Sequence, residues 1–173
     1  MKQLKMAIKD FKGKIEFYPA YSATIPSVDI TEFDWYTNTD NKDQKYFSGV
    51  AKYIVNFTVP AEKLTADSIL LSIADFESVA EVKLNNSNLG ILWKQGKLLS
   101  IKGILKTENT LEISVANLFR NRIIGDNVEF GKIQHLWTSS PITHWLGKDK
   151  TPKLSGVKGP VSVVFLSKQS FEE

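Results

Sequence analysis

The chain has 173 residues, 42% of them hydrophobic and 24% charged, with a formal net charge of +3. Those values suit one globular domain with a substantial core. The basic residues are spread along the chain rather than gathered, which argues against a nucleic-acid footprint, and no apolar run approaches the ~18 residues of a membrane helix. Cysteine is absent, so disulfides, thiolate metal sites and cysteine nucleophiles are excluded together.

Residues 1–12 show no clear period, although Met6, Ile8 and Phe11 are placed to pack against an edge; they are expected to form a loosely packed N-terminal arm. This lysine-containing start has no apolar h-region, so it is not a secretory signal as written. Ile15 and Phe17 alternate with Glu16 and Tyr18 in a short strand ended by Pro19. From Ala20 to Lys45 the chain is polar and irregular, with Phe33, Trp35 and Tyr36 as an anchoring cluster.

Ala51 to Val59 is the clearest strand: Ala51, Tyr53, Val55, Phe57 and Val59 share one face and Lys52, Ile54, Asn56 and Thr58 the other. After a single possible helical turn at Ala61–Ala66, Ile69, Leu71 and Ile73 alternate in another strand. Ala80, Val82 and Leu84 point inward in the next, with Glu81 and Lys83 outward. Asn85-Asn86-Ser87-Asn88 reads as a hairpin turn returning through Leu89 to Trp93. Leu98 to Leu105 is a further strand with a turn at Gly103.

Asn109 to Asp126 begins as a strand through Leu111, Ile113 and Val115. It ends in a polar knot of Arg120, Asn121, Arg122 and Asp126 around Ile123-Ile124. Ile133 to Trp137 is a candidate pairing segment, and Val161, Val163 and Phe165 alternate in a last strand. No 10-residue segment has the apolar stripe of a helix. Many short strands separated by turn signals predict an all-β sandwich or barrel in a single domain, residues 1–173.

Four ordered blocks carry a family resemblance: YFSGVAKYIVNF (Tyr46 to Phe57), DFESVAEVKLNNSNLGILW (Asp75 to Trp93), ENTLEISVANLFRNRIIGD (Glu108 to Asp126) and LSGVKGPVSVVF (Leu154 to Phe165). Together they resemble the C-terminal galactose-binding-like domain of family 106, α-L-rhamnosidase-type glycoside hydrolases, which is related to the sugar-binding domain of family 2. The chain departs from that pattern at Leu84-Asn85-Asn86 (Leu-Asn-Gly in the family), at Phe119 (Trp) and at Gly96-Lys97-Leu98 (Pro-Phe). The resemblance implies a jelly-roll β-sandwich acting as a non-catalytic accessory module. Its expected partner is a catalytic domain of a glycoside hydrolase, or a glycan if it is instead a free-standing carbohydrate-binding module. Parents of this family are typically exported.

The residues offer little chemistry of their own. Glycoside hydrolysis needs two carboxyl groups about 5–5.5 Å or about 6.5–9.5 Å apart; Asp75, Glu77, Glu81, Asp126 and Glu129 are more simply strand-face or turn residues. His135 and His144, nine apart with no carboxylate cluster, make a poor zinc site. No cofactor is implied. A structural calcium ion has turn oxygens available at Asp75, Asp126 and Asn127, but without a diagnostic spacing.

For carbohydrate stacking the four tryptophans are candidates, Trp137 and Trp145 ahead of Trp35 and Trp93 because they lie in the most loop-like stretch. Arg120 and Asn121 are candidate sugar contacts. Arg122 with Asp126 reads as a structural clamp behind them. The clamp is the favoured role of this knot, since Ile123-Ile124 draws the segment into the core.

Overall fold

The computed structural model describes residues 2–135 and 150–168. It is an all-β sandwich of two antiparallel sheets. Among the described residues, β1 (Lys2–Ala7), β10 (Val157–Ser167), β5 (Ser68–Phe76) and β8 (Leu98–Ser100) form a four-stranded sheet in that order. The facing sheet runs β3 (Val28–Ile30), β2 (Lys12–Pro19), β4 (Gly49–Thr58), β9 (Glu108–Ala116), β6 (Val79–Leu84), β7 (Ser87–Leu92).

The period-two pattern decides which residues meet between the sheets. Ala51, Tyr53, Val55, Leu111, Ile113, Val115, Ala80, Val82 and Leu84 are all fully buried on one inner face. Ile69, Leu71, Ile73, Val161, Val163 and Phe165 answer from the other. Tyr53 is the polar exception. Its hydroxyl donates to the Asp34 carbonyl at 3.2 Å and accepts from the Val157 amide at 3.1 Å, and burial pushes its phenol pKa up. The chain comes this close because residue 156 is glycine: at φ 125° a Cβ there would lie 2.3 Å from the Tyr53 oxygen.

The β6–β7 hairpin turns on Asn85 and Asn86, both at positive φ (51° and 66°), with Leu84 opposite Ser87. This is the geometry of a two-residue type I′ turn. Asn suits both positions because its short amide tolerates that region. The Asn85 side chain also accepts from Thr110 N and donates to the Ile104 carbonyl.

Several expectations are corrected. The segment after β9, where no helix was expected, is an 11-residue helix, α2 (Arg120–Phe130), ended by Gly131 at φ 69° with its N–H on the Asn127 carbonyl at 3.0 Å. It has no apolar stripe because its buried residues are Asn121, Arg122, Ile124, Gly125 and Asp126. The expected arm is an edge strand: β1 pairs with β10 from Lys2↔Ser167 to Ala7↔Ser162. Its side chains are mostly exposed, so no alternation marks it, whereas Ile8 and Phe11 are buried in the core.

The segment beginning at Leu98 is a strand for three residues and then turns, Leu105 N donating to Ile101 O. Val28–Ile30, read as irregular, pairs with β2. A four-residue helix, α1 (Lys42–Lys45), starts from an Asn41 cap on Asp43 N at 2.9 Å. Residues 133–135 are not in a strand.

Candidate functional site

The site lies at the end of the sandwich where β9 runs into α2. Asn117 begins it by stitching this end to the start of β4: its Oδ1 accepts from Gly49 N and its Nδ2 donates to the Phe47 carbonyl, both at 2.9 Å. Ser48 does the reciprocal work. Its hydroxyl donates to the Leu118 carbonyl at 3.0 Å and accepts from the Arg122 amide at 3.2 Å, occupying one of the helix's orphan N–H groups.

Arg122 and Asp126 then fall one turn apart on the buried side of α2. Arg122 Nε donates to Asp126 Oδ1 at 2.9 Å, with the two side chains 6% and 1% exposed. A second guanidinium nitrogen reaches Glu129 at 3.0 Å, and the group lies over the rings of Tyr21 and Tyr46, 5.6 and 5.9 Å from their centroids. Asp126 is saturated. Its Oδ2 accepts from the amides of Gln134 and His135 at 2.9 and 3.0 Å, and His135 Nδ1 lies 2.7 Å from Oδ1. Burial by itself would raise the Asp126 pKa; the hydrogen bonds from Gln134 and His135 and the Arg122 charge outweigh it and hold the carboxyl below its usual value. The two residues expected as a clamp are thus brought together at the centre of a charged, buried network.

Asn121 faces the other way. It is 1% exposed, and its amide grips the backbone of Lys153, donating to its carbonyl and accepting from its N–H, each at 2.8 Å. Expected as a sugar contact, it holds the returning chain and also lines the cleft beside it. That cleft is about 480 Å³, and its lining also includes Glu77, Leu118, Arg120 and Lys153. Arg120 and its expected companion Asn121 thus line the same cleft. Among the described residues lining the cleft the one carboxylate is Glu77, and Lys153 neutralises it at 2.5 Å.

The remaining candidates are scattered. Trp137, Trp145 and His144 lie outside the described residues. Trp93, at the end of β7, is 76% exposed on an open face, and Trp35 is half-buried, bridged to Gly156. Asp75 takes a hydrogen bond from Gln95, and Asp126 is occupied as described, so the calcium candidates do not share a site. Among the described residues no three His, Asp or Glu side chains gather to hold a metal ion, and no helix is long and apolar enough to cross a membrane.

Sequence reasoning passed over Ser48, Asn117 and Tyr21, which build the network. Only Asn117 had a signal, as a polar residue directly after the β9 alternation.

No protein-family model matches the chain. The chain is similar to parts of several glycoside hydrolases. A rhamnosidase from Novosphingobium sp. superposes on 95% of this chain at 29% identity and a TM-score of 0.76, the match taking up 15% of that protein's chain. A Formosa agariphila protein named "Putative beta-glucuronidase" is 38% identical over 111 residues, which is 63% of this chain and 10% of that protein. β-Glucuronidases from an uncultured Clostridium and from Bifidobacterium dentium share the fold, with TM-scores of 0.65 and 0.63 at 14% and 16% identity over 96% and 95% of this chain, or 29% and 30% of theirs. The chain is therefore similar to a sandwich found within large glycoside hydrolases and spans only a small part of each.

Proposed function

We propose that this chain is a non-catalytic accessory module of a glycoside hydrolase, packing against or completing a catalytic domain. The observation that carries this reading is the whole-chain likeness to the Novosphingobium rhamnosidase, in which an equivalent sandwich is 15% of a far longer polypeptide. The chemistry agrees: the described lining of the cleft has one carboxylate, already ion-paired, where glycoside hydrolysis needs two.

A second reading, a free-standing carbohydrate-binding module, is favoured by the cleft itself, where Arg120 and the Glu77–Lys153 pair offer donors and acceptors to sugar hydroxyls.

Calorimetric titration with rhamnose- and glucuronate-containing oligosaccharides, alongside turnover assays on aryl rhamnoside and aryl glucuronide, tests both. The accessory reading expects neither saturable binding nor turnover. Binding that is abolished by Trp137→Ala, Trp145→Ala or Arg120→Ala replaces it with the carbohydrate-binding module. Turnover lost in Glu77→Gln replaces it with an enzyme.

A further inference from the structure

The outward face of an antiparallel sheet that meets water is normally polar along its whole length. In the six-stranded sheet a transverse row breaks that rule, with Ile91 of β7, opposite Glu81 and 57% exposed, adjoining it. Tyr18 of β2 pairs with Val50 of β4, Val50 with Ala116 of β9, and Ala116 with Val79 of β6. Leu92 at the end of β7 pairs with Ala80, so Trp93 falls beside Val79 by continuation of that register. Every member is exposed: Tyr18 53%, Val50 37%, Val79 39% and Trp93 76%, with Ala116 also open to solvent. At the usual spacing of strands the row extends about 19 Å across the sheet. A continuous apolar line of this kind marks an interaction surface rather than scattered surface hydrophobics.

The neighbouring side chains define what fits there. Immediately along the strands stand Lys14–Glu16, Lys52–Glu112 and Lys83–Glu81, each paired within the chain at 2.5, 2.6 and 3.6 Å. Three cations and three anions cancel, so the face presents no net charge to attract a nucleic acid or an anionic headgroup. The middle of the row is aliphatic and its two aromatic rings stand at opposite ends, so it offers no continuous platform for stacked sugar rings. An apolar, uncharged protein surface suits it. The row is also continuous with the cleft, because Ala116 leads directly into Asn117 and Leu118 of the cleft wall, Leu118 being 69% exposed.

We infer that this transverse row is the face on which the sandwich docks against the catalytic domain of a glycoside hydrolase, bringing that domain to the rim of the cleft. The inference rests on the accessory-module reading and names its surface. The occupant follows from the proportions of the similar rhamnosidase, where 85% of the chain (100% less the 15% matched) lies outside the equivalent sandwich and is available to cover it.

The absence of cysteine makes the test clean. Val79→Cys, Val50→Cys and, as a control on the opposite sheet, Gln3→Cys are each placed in the full chain and in a chimera in which this chain replaces its counterpart in the Novosphingobium rhamnosidase. Maleimide labelling at the introduced residue is followed by peptide mass spectrometry, with aryl-rhamnoside turnover and light scattering alongside. In the isolated monomeric chain all three positions label rapidly. In the active chimera positions 79 and 50 slow by roughly tenfold or more, as expected of a solvent-excluding interface, while position 3 does not.

An active chimera that labels at positions 79 and 50 as fast as the isolated chain overturns the docking face and leaves the accessory reading standing. Equal slowing at position 3 also overturns this choice of face. An inactive chimera labelling freely everywhere overturns the accessory reading itself. A dimeric isolated chain already protected at positions 79 and 50 makes a second copy the occupant, and overturns the inference.

Discussion

Arg122 Nε and Asp126 Oδ1 meet at 2.9 Å inside the protein, one helical turn apart, with His135 Nδ1 on the same oxygen at 2.7 Å. The pair stands where several pieces of chain meet: α2, the 134–135 segment and, through the rings of Tyr21 and Tyr46, the segments after β2 and before β4. Arg122→Ala leaves Asp126 buried without its guanidinium partner, and removing one member of a buried pair costs about 3–5 kcal/mol. For a chain of this size that lowers the melting temperature by roughly 10 °C. Differential scanning calorimetry measures it, and an unchanged melting point would sink the clamp.

The same carboxyl sets an acid dependence. Asp126 is held below its ordinary pKa in the folded protein, so its contribution is complete above the unfolded-state value and is lost as pH falls through the lower, folded-state value. The urea midpoint of the wild type is expected to fall across the acidic range. Asp126→Asn should begin less stable at neutral pH and fall less steeply; parallel curves would remove Asp126 from the account.

Gly125 lies where α2 crosses Tyr46. In an exposed helix Gly→Ala stabilises by about 1 kcal/mol. Here the new Cβ would lie 2.6 Å from two Tyr46 carbons and 2.7 Å from the Arg122 guanidinium. Overpacking of that kind costs about 1–3 kcal/mol, which reverses the sign. Equilibrium urea unfolding of Gly125→Ala decides between the two, and stabilisation would mean that the helix is free to lift from Tyr46.

Tyr53→Phe keeps the ring in the core and removes the hydroxyl that joins the Asp34 carbonyl to the Val157 amide across the two sheets. Leaving those buried groups unpartnered is expected to cost about 1–3 kcal/mol. The Val157 amide should also exchange its hydrogen faster in the variant, and an unchanged exchange rate there would show that the hydroxyl carries no part of this join.

Much of the sandwich was legible because alternation is a local signal. Tyr53, Val55, Ile113 and Val82 each stand at the inward phase of a strand whose outward residues are mostly polar, and all four are fully buried. The Asn85-Asn86 turn was legible for the same reason, since its chemistry is contained in two residues. Helix α2 was not, because a helix is recognised by an apolar stripe and its buried face carries Asn121, Arg122 and Asp126. Those polar groups are stable inside only because Lys153, Gln134 and His135 come back to meet them, and that return is a property of the fold.

The transverse row shows the same division from the surface. Of its members Tyr18 was placed by alternation opposite a buried phase, that of Ile15 and Phe17. That Tyr18, Val50, Ala116 and Val79 stand abreast depends on the registers of four strands drawn from distant parts of the chain.

By itself the sequence determined the class of fold, the order of most strands, the hairpin and the pairing of Arg122 with Asp126, because each depends on spacings of a few residues. Tertiary structure alone decided that this pair sits buried on a helix, that Asn121 holds the Lys153 backbone at the cleft that Arg120 also lines, and that a row across the six-stranded sheet is apolar. Those outcomes depend on sheet register and on burial, which arise only when segments far apart in the chain are brought into contact.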